Sequence, residues 1–316
     1  MIVYFNRPIK REAWGGGSHF ITSFHDFLKE KGHTVVFDLV PNVGAIFMFD
    51  PRPSHDGAGA NEIYRYKLFN PSVKIVQRIN DTDIARPMDR PWRVQTLLNA
   101  NQIADHTVFI SEWVKDHYVE NGFNTSKPHT VIINGCDSQW YYPDEKAELN
   151  KKNIKLITHH WSDNFMKGFD IYNFLDKFVE LHSDISFTYM GRYNKDYSPI
   201  NTKIIPPTYG PEVGNILRQH DIYVTAARFE ACGMHHIEAA ACGLPVLYHI
   251  EGGAVPEVCK NHGNKFFDTE SFAISLNKTV ENYDTIRKNI DHKFLSSERC
   301  LSSYEEIVTR FNNCET

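Results

Sequence analysis

The chain is expected to fold as two doubly wound α/β domains facing each other across a cleft. Short apolar runs alternate with helical patterns from the first residue onward, which is typical of parallel strands joined by crossover helices. The 316 residues are too many for one simple core and suit two domains of about 150 residues each. Ligands of such domains bind outside the carboxyl ends of the strands, so functional residues are expected there.

The amino-terminal half opens with the pattern of a βαβ unit. An apolar run at residues 2–5 predicts the first strand. After Gly15-Gly16-Gly17, apolar side chains share one helical face over residues 18–31, and Gly32 ends this helix before a second strand at residues 34–39. Further strands are predicted at residues 45–49, 73–78, 107–110 and 130–133, and further helices at residues 60–69, 93–104 and 112–121.

A polar stretch at residues 144–153, rich in Lys, Glu and Asn, predicts a linker between the domains. We therefore expect an amino-terminal domain over residues 1–145, a second domain over residues 146–297 and a final amphipathic helix over residues 298–316. Strands of the second domain are predicted at residues 154–158, 185–190, 222–224 and 246–249.

Bulk properties exclude several kinds of partner. A net charge of −5 gives no general attraction to nucleic acid. No window approaches 18 consecutive apolar residues, so neither a transmembrane segment nor a secretion signal is expected, although peripheral membrane contact is compatible with the sequence. The six cysteines form no CxxC pair, and we expect reduced thiols in a cytoplasmic protein.

The most informative segment runs from Phe229 to Val246. Glu230 and Glu238 flank Gly233, where a helix is predicted to start, so both acids and the free N–H groups of the helix could converge on one ligand. Such a set of groups suits a nucleotide-sugar. The alternative is purely structural, because an acid near a helix amino terminus gains about 0.3–1 kcal/mol from the macrodipole whatever its function.

This segment resembles the carboxy-terminal signature of family-4 retaining glycosyltransferases, the glycosyl transferases group 1, which have the GT-B fold of two Rossmann-like domains. The resemblance rests on the spacing Glu-x7-Glu, on residues 238–246 (Glu-Ala-Ala-Ala-Cys-Gly-Leu-Pro-Val), and on Gly252-Gly253 and Pro256-Glu257. It extends over most of the chain through Lys167-Gly168-Phe169-Asp170, Asn134-Gly135-Cys136-Asp137 and the strand ending Val108-Phe109-Ile110-Ser111. In such proteins the last helix can return to the first domain.

The resemblance implies a role for each matching residue. Glu238 would hold the ribose hydroxyls, Glu230 the hydroxyls of the transferred sugar, and Lys167 the diphosphate together with the Gly233 and Met234 amides. The predicted donor site also includes Cys232, His235, His160, Arg192, Gly16 and Gly17. Glu230, Lys167 and Asp81 form the predicted catalytic set. The donor would be of UDP or GDP type, with no cofactor and no metal, since the cationic and amide groups replace one.

One departure from the family concerns the positive charge beside Lys167. The family usually has an Arg shortly before this Lys, whereas residues 158–166 contain none. The second cation would then come from His160, a neighbouring residue, Arg192 or Arg228, or else the phosphate would be held less tightly.

Residues that follow predicted strands of the first domain form a candidate acceptor side. Asp50 and Arg52 follow one strand, and Arg78 and Asn80 end another, where Arg-Ile-Asn-Asp resembles a subgroup of the same family. The structural alternative is that Asp81 caps a helix or pairs with Arg78. A basic and aromatic patch of Arg86, Arg90, Trp92 and Arg93 could meet an anionic or lipid-linked acceptor, or could be a solvated helix start.

Two other motifs carry weaker information. Gly15-Gly16-Gly17 lacks the Gly-Lys-Ser/Thr ending of a P-loop, and taken alone it is a turn before a helix. The clustering of Cys232, His235, His236 and Glu238, with His159-His160, raises a metal hypothesis, but no HExxH spacing supports it, so no metal site is expected.

The predicted activity is retaining transfer of a sugar from a nucleoside diphosphate to a hydroxyl of a carbohydrate or lipid-linked glycan, in glycan or polysaccharide assembly. Two alternatives remain open at this point: a sugar-nucleotide epimerase of the same fold, and a catalytically silent nucleotide-sugar binding protein. A dinucleotide oxidoreductase is disfavoured because no GxGxxG follows an early strand.

Overall fold

The computed structural model describes residues 1–9, 16–55, 57–82, 91–145 and 148–313, apart from the side chains of residues 16, 91 and 311–313. The chain forms two compact units. Unit 1 contains Met1–Ile133 and the chain from Cys300 onward, and unit 2 contains Asn134–Arg299. The units thus divide after Ile133 and Arg299, whereas the sequence predicts domain limits after residues 145 and 297.

Unit 1 is built on a six-stranded parallel sheet. Its strands are β1 Ile2–Phe5, β2 Thr34–Val36, β3 Val43–Met48, β4 Lys74–Ile79, β5 His106–Phe109 and β6 His129–Val131. The strand order is β2-β1-β3-β4-β5-β6, so the direction of winding reverses between β1 and β3. The flanking helices are α1 Gly16–Glu30, α2 Ala60–Phe69, α3 Pro91–Asn101 and α4 Glu112–Glu120.

Side chains alternate across this sheet and form a core on each face. In β1, Val3 and Phe5 pack into one cluster while Tyr4 packs into the other, as the two-residue period of a strand requires. The first cluster also contains five residues of the carboxy-terminal helix, Cys300, Leu301, Tyr304, Ile307 and Val308, together with Phe20 and Phe24 of α1. Burial on both faces is what makes the strands read as continuous apolar runs.

Unit 2 contains a second six-stranded parallel sheet. Its strands are β7 Ile154–His160, β8 Ile185–Gly191, β9 Lys203–Ile205, β10 Ile222–Thr225, β11 Val246–His249 and β12 Gly263–Phe266. Its helices are α5 Phe169–Leu181, α6 Pro211–Arg218, α7 Met234–Ala241, α8 Val255–Cys259, α9 Thr269–Glu281 and α10 Tyr283–Lys288, and α11 Ser297–Asn313 follows. The order β9-β8-β7-β10-β11-β12 is that of a dinucleotide-binding Rossmann domain, with the winding reversed between β7 and β10.

The fold class and every strand named from the sequence are confirmed, with shifts of a few residues at the ends. Two strands were missed, β9 and β12, each at an edge of the unit 2 sheet. β12 has the sequence Gly-Asn-Lys-Phe, three residues of which have low strand propensity, and β9 is only three residues long. Edge strands pair on one side only, so their sequences carry a weaker apolar signal.

Two further findings concern the expectations from composition. Within the described ranges, no helix combines the length and apolar character needed to cross a membrane. Cys136, Cys232, Cys242, Cys259 and Cys300 are buried free thiols.

Candidate functional site

The end of strand β7 supplies two histidines to opposite faces of the unit 2 sheet. His160 lies toward α5, where its Nε2 is 2.7 Å from the Tyr172 hydroxyl. His159 lies toward α7, where its Nε2 is 2.8 Å from Oε2 of Glu238. Because the winding reverses between β7 and β10, the His159–Glu238 pair lies at the switch point, where ligands of this fold bind.

Glu238 is held in place by neighbours from two other segments of unit 2. The side chain of His159 is 1% exposed and that of Glu238 is 13% exposed, so the pair is shielded but one edge of the carboxylate reaches the surface. The Tyr141 phenol is also a hydrogen-bond partner of Glu238, and both burial and the negative charge of Glu238 raise the pKa of this phenol. The carboxylate is therefore fixed in orientation while remaining accessible to a ligand.

The loop between β10 and α7 has a constrained backbone. Phe229 has a φ of 56°, in the left-handed region that non-glycine residues seldom adopt, and its N–H donates to the Glu251 carbonyl at 2.9 Å. The Glu230 carbonyl accepts from the Ala254 N–H at 2.8 Å. A Cβ at Gly253 would lie 2.4 Å from that same carbonyl oxygen, which explains the glycine there. Strain of this kind is found where a loop must present a side chain in one position.

The Glu230 carboxylate lies over the start of α7. Its Oε1 is 2.8 Å from Nζ of Lys167, and its Oε2 is 3.9 Å from Nδ1 of His235. A Cβ at Gly233, the N-cap of α7, would lie 2.3 Å from Oε2 of Glu230, so only glycine leaves room for this carboxylate. Gly233 makes no side-chain cap, and N–H groups in the first turn of a helix lack partners within the helix. The start of α7 and Lys167 thus bring backbone N–H groups and one positive charge close together.

Lys167 reaches Glu230 because a tight turn brings it to the end of β10. It ends a short 3-10 helix, Phe165–Lys167, whose N-cap Asn164 accepts a hydrogen bond from the Met166 N–H at 3.0 Å. Gly168 follows with a φ of 84°, and a Cβ there would lie 2.3 Å from the Ala226 carbonyl oxygen. The Lys-Gly motif thus combines a cation paired with Glu230 and a glycine that close packing requires.

Three buried histidines near these acids, His160, His235 and His236, have lowered pKa values. Burial, together with the nearby charge of Lys167, lowers the pKa of His160 well below its usual value. Burial and neighbouring histidines do the same for His235, whose Nε2 is 3.1 Å from the Thr225 hydroxyl. Burial lowers the pKa of His236 to about 3, and within the described part of the chain neither of its ring nitrogens has a hydrogen-bond partner. His160 therefore does not supply the second positive charge considered from the sequence.

The two arginines considered for that charge differ in their surroundings. Arg228 donates two hydrogen bonds to Asp170, at 2.9 and 2.7 Å, and lies 3.7 Å from Glu251, so two acids already compensate its charge. Arg192 follows β8 at the same edge of the sheet as His160, is exposed, and donates one hydrogen bond to the Trp161 carbonyl at 2.9 Å.

The Asn134-Gly135 turn packs against the loop between β10 and α7. Asn134 Nδ2 donates to the Cys232 carbonyl at 2.9 Å, which fixes the residue before Gly233. Gly135 packs against the Ser296 carbonyl, where a Cβ would come within 2.1 Å. Cys232 itself is buried, so its backbone is the part that this contact uses. Ser111, from the remaining family motif, caps α4 in unit 1 by accepting the Val114 N–H at 3.1 Å.

Unit 1 contains a separate pocket of about 420 Å³ at the carboxyl ends of its strands. Seven of the residues named from the sequence line it: Gly17, Asp50, Arg52, Arg78, Asn80, Asp81 and Arg93. The structure thus brings the whole predicted acceptor side together, and it also places here Gly17, predicted for the donor, and Asp81, predicted for catalysis. Gly16 begins α1, whereas Gly15, Arg86 and Arg90 lie outside the described residues.

Asp50 organises two arginines at the rim of this pocket. Arg52 donates to it from Nε at 2.9 Å and from Nη2 at 2.6 Å, and Nη2 of Arg7 lies 3.4 Å away. Partial burial raises the pKa of Asp50, but the hydrogen bonds and charges of Arg52 and Arg7 outweigh this, so the net pKa is lowered. Arg7 was missed from the sequence, although it follows β1 at the same edge and could have been found by the strand-end rule.

Arg78 forms the floor of the pocket. It is 3% exposed, its Nε donates to the Tyr304 hydroxyl at 3.0 Å, and its guanidinium lies 3.9 Å from the centre of the Phe20 ring. Asp81 makes a local turn in which its carboxylate accepts the Thr82 N–H at 2.9 Å, and its carbonyl accepts from the Tyr118 hydroxyl at 3.2 Å. In unit 2, the sequence analysis did not find Tyr141 as a site residue. No sequence pattern could have identified it, because its contact with Glu238 depends on tertiary structure alone.

A metal centre finds no support in the geometry. Among the described residues, no three His, Cys, Asp or Glu side chains are grouped so that they could hold a metal ion. Three of the clustered histidines, His159, His160 and His235, instead make hydrogen bonds to Glu238, Tyr172 and Thr225.

Comparison with known proteins gives matches to parts of the chain. Residues 198–291 match the family Glycosyl transferases group 1. The probable sucrose-phosphate synthase of Thermosipho melanesiensis is 23% identical over 205 residues, and the gpi3 subunit of phosphatidylinositol N-acetylglucosaminyltransferase of Schizosaccharomyces pombe is 24% identical over 203 residues. These matches cover 58% and 60% of this chain, and 47% and 42% of the relatives. The matched region thus spans less than half the length of the two curated relatives.

Solved structures resemble the chain over almost its full length. A glycosyltransferase from Rickettsia africae has a TM-score of 0.71 at 15% identity, with 98% of each chain covered. HepE of Anabaena, solved in complex with UDP and glucose, has a TM-score of 0.69 at 14% identity, with 98% of this chain and 99% of that chain covered. At these identities the likeness establishes the shared GT-B fold. The match to the family model lies within unit 2.

Proposed function

We propose that the protein is a retaining glycosyltransferase that moves a sugar from a nucleoside-diphosphate sugar to an acceptor hydroxyl. The observation that carries the proposal is the arrangement at the switch point of unit 2, where Glu230, Glu238 and Lys167 surround the uncapped start of α7. The relatives agree with a sugar nucleotide as donor, since HepE was solved with UDP and glucose and the two curated relatives are named for sugar transfer or synthesis.

Each group in this arrangement suits one part of the donor. Glu238, which His159 fixes and which has one accessible edge, would accept hydrogen bonds from the two ribose hydroxyls. The diphosphate would lie on the α7 amides and Lys167, because a helix amino terminus and an ammonium both favour negative charge. Glu230 would then take the hydroxyls of the sugar that is transferred.

The Lys167–Glu230 ion pair has a direct consequence for donor binding. A bound diphosphate would share or replace Glu230 as the partner of Lys167, which frees carboxylate oxygens for the sugar hydroxyls. Both side chains are about one-sixth exposed, so the exchange takes place where water screens charge only weakly. The pair therefore acts as a preformed and partly neutralised donor site.

The chemical step breaks the bond between the anomeric carbon and the diphosphate oxygen and forms a bond from that carbon to the acceptor oxygen. With retention, the leaving and attacking oxygens share one face of the sugar, and the departing phosphate takes the acceptor proton. Lys167 and the α7 amides would stabilise the negative charge that grows on the diphosphate, and this is the main contribution that the protein makes. We propose Arg192 as the second cation beside the diphosphate, since Asp170 and Glu251 already compensate the charge of Arg228.

Paired variants of the two acids test the assignment. Glu238→Ala is expected to weaken UDP or GDP binding at least 10-fold by calorimetry, because charged hydrogen bonds contribute about 1.5–3 kcal/mol each. Glu230→Ala is expected to leave nucleotide affinity within about threefold and to lower turnover by 100-fold or more, through loss of sugar orientation. Glu281→Ala, an exposed acid at the end of α9, is the matched control and should change neither quantity.

The same proteins distinguish the two alternatives. Labelled UDP- and GDP-sugars incubated with an acceptor mixture are read for free nucleotide with a new glycoside, for epimerised sugar, or for no change. A new glycoside of unchanged anomeric configuration supports the proposal. Epimerised donor would make the protein an epimerase, and tight donor binding without any conversion would make it a binding protein.

A further inference from the structure

We propose that the unit 1 pocket binds a phosphate group carried by the acceptor. We call it the arginine pocket, after Arg7, Arg52, Arg78 and Arg93, which all line it. The inference rests on the proposed function in one respect, since it takes unit 1 to bind the acceptor. It adds the chemical class of that acceptor, which is a phosphate ester rather than a neutral sugar.

The charge of the lining is the first argument. Four arginines and two aspartates line the pocket among the described residues, an excess of two positive charges. The protein as a whole carries a net charge of −5, so this excess is local and opposes the overall balance. A phosphate monoester near neutral pH carries between one and two negative charges and would neutralise it.

The rim of the pocket is organised in advance. Asp50 gathers Arg52 and Arg7, and Arg7 also donates to the Asn6 carbonyl at 2.8 Å and the Arg52 carbonyl at 2.7 Å. One carboxylate thus holds two guanidinium groups close together. A guanidinium is a planar donor that matches phosphate oxygens two at a time, so a fixed pair of them favours phosphate over a hydroxyl-bearing neutral ligand.

Arg78 at the floor and the start of α1 at one wall add to the positive electrostatic potential of the pocket. Arg78 is 3% exposed and is fixed by Tyr304 and the Phe20 ring, so its positive charge lies in a region that water reaches poorly. Gly17 contributes the start of α1, a 15-residue helix with no acid in its first turn. The positive end of that helix therefore points into the pocket with no compensating carboxylate from its own first turn.

The size of the pocket limits what the phosphate is attached to. About 420 Å³ is within the usual range for small-molecule sites and holds a phosphate with one sugar ring or a comparable headgroup. Two sources of that chemistry fit: a soluble sugar phosphate, and a membrane lipid whose headgroup carries the phosphate. The binding chemistry is shared, and the experiment must separate the sources.

The first experiment measures binding of inorganic phosphate to the full-length protein at constant ionic strength by calorimetry. It is performed on the wild type and in a Lys167→Gln background, because Lys167 in unit 2 is a second candidate phosphate ligand. Saturable binding should survive Lys167→Gln and weaken at least 10-fold on adding Arg52→Gln or Arg7→Gln. Arg65→Gln, an exposed arginine on α2 outside the pocket, should have no effect. Binding that is absent, or that Arg52→Gln and Arg7→Gln leave unchanged, overturns the proposal.

A folding check accompanies these variants. The Arg52 side chain is 43% exposed, so its removal is expected to leave the melting temperature within a few degrees of the wild type. If Arg7→Gln unfolds the protein, Arg52→Gln alone decides the result.

The second experiment separates the sources and compares matched acceptors. Transfer from the donor is measured to sugar phosphates, to the same sugars without phosphate, and to vesicles of phosphatidylcholine with or without phosphatidic acid, which are also tested by sedimentation. Faster transfer to the sugar phosphates indicates a soluble acceptor, and binding only to the phosphatidic acid vesicles indicates a lipid. Equal transfer to neutral sugars overturns the inference while leaving the proposed function intact. A protein that binds phosphate in unit 1 but converts no donor keeps the pocket and loses the proposed function.

Discussion

Gly233→Ala probes the relation between Glu230 and the start of α7 with a single methyl group. The added Cβ would lie 2.3 Å from Oε2 of Glu230 and 2.8 Å from two atoms of the His235 ring. Since Cβ contacts below 3.0 Å are essentially never found, the Glu230 carboxylate must retreat by about 0.7 Å or more. The backbone is no obstacle, because Gly233 has a φ of −63° and a ψ of 151°, which alanine adopts freely.

The two contacts have different consequences. The Glu230 carboxylate can move, but a displacement of nearly 1 Å in a group that orients the substrate costs about 10- to 100-fold in rate. The buried His235 ring cannot easily move, and overpacking of this kind costs about 1–3 kcal/mol. For a unit of this size we expect a melting temperature lower by about 3–10 °C. Nucleotide affinity should change little, because Glu238 is not touched.

The assay combines thermal unfolding, UDP calorimetry and turnover of the best donor, in the wild type and in a Glu230→Ala background. If the rate loss arises from displacement of Glu230, then Gly233→Ala has no further effect on turnover once that carboxylate is removed, whereas the thermal effect through His235 persists. Full turnover in Gly233→Ala, or a rate loss of equal size in both backgrounds, would refute the reasoning.

Three more predictions follow from single contacts. His159→Phe removes the donor at 2.8 Å from Glu238 and should weaken UDP binding about 10-fold or more, with partial rescue by His159→Gln; wild-type affinity in His159→Phe would contradict the positioning role. Gly168→Ala meets the Ala226 carbonyl at 2.3 Å and should lose more than about 2 kcal/mol in urea unfolding, whereas Gly122→Ala, also at positive φ but in open space, should lose about 1–2 kcal/mol; equal losses would remove the packing argument. The pKa of His236 is about 3 in the folded chain and about 6.5 unfolded, so between these values the unfolded state binds the extra proton and stability falls as the pH falls. From pH 6.5 to pH 5 the wild type should lose about 1.5 kcal/mol more than His236→Met, and parallel stability curves for the two proteins would contradict a neutral buried His236.

Much of the local architecture could be predicted because its causes are local. Alternating apolar runs reveal strands that are buried on both faces, and the glycines of the motifs mark close approach, as Gly168 against Ala226 and Gly253 against Glu230 demonstrate. The two short edge strands β9 and β12 were missed because an edge strand pairs on one side only, so its sequence carries a weaker apolar pattern. Arg7 was also missed, although its position after β1 was visible.

The sequence by itself determined the fold class, the position of nearly every strand, and the short motifs in which Glu230, Glu238 and Lys167 lie. Only the tertiary structure decided that Glu238 pairs with His159, that Lys167 pairs with Glu230, and that Arg7 and Arg52 share Asp50. The physical reason is the distance along the chain over which each kind of signal acts. Periodicity and turn chemistry act over a few residues, whereas these pairs depend on which strands lie side by side, and that order is set by the packing of the whole sheet.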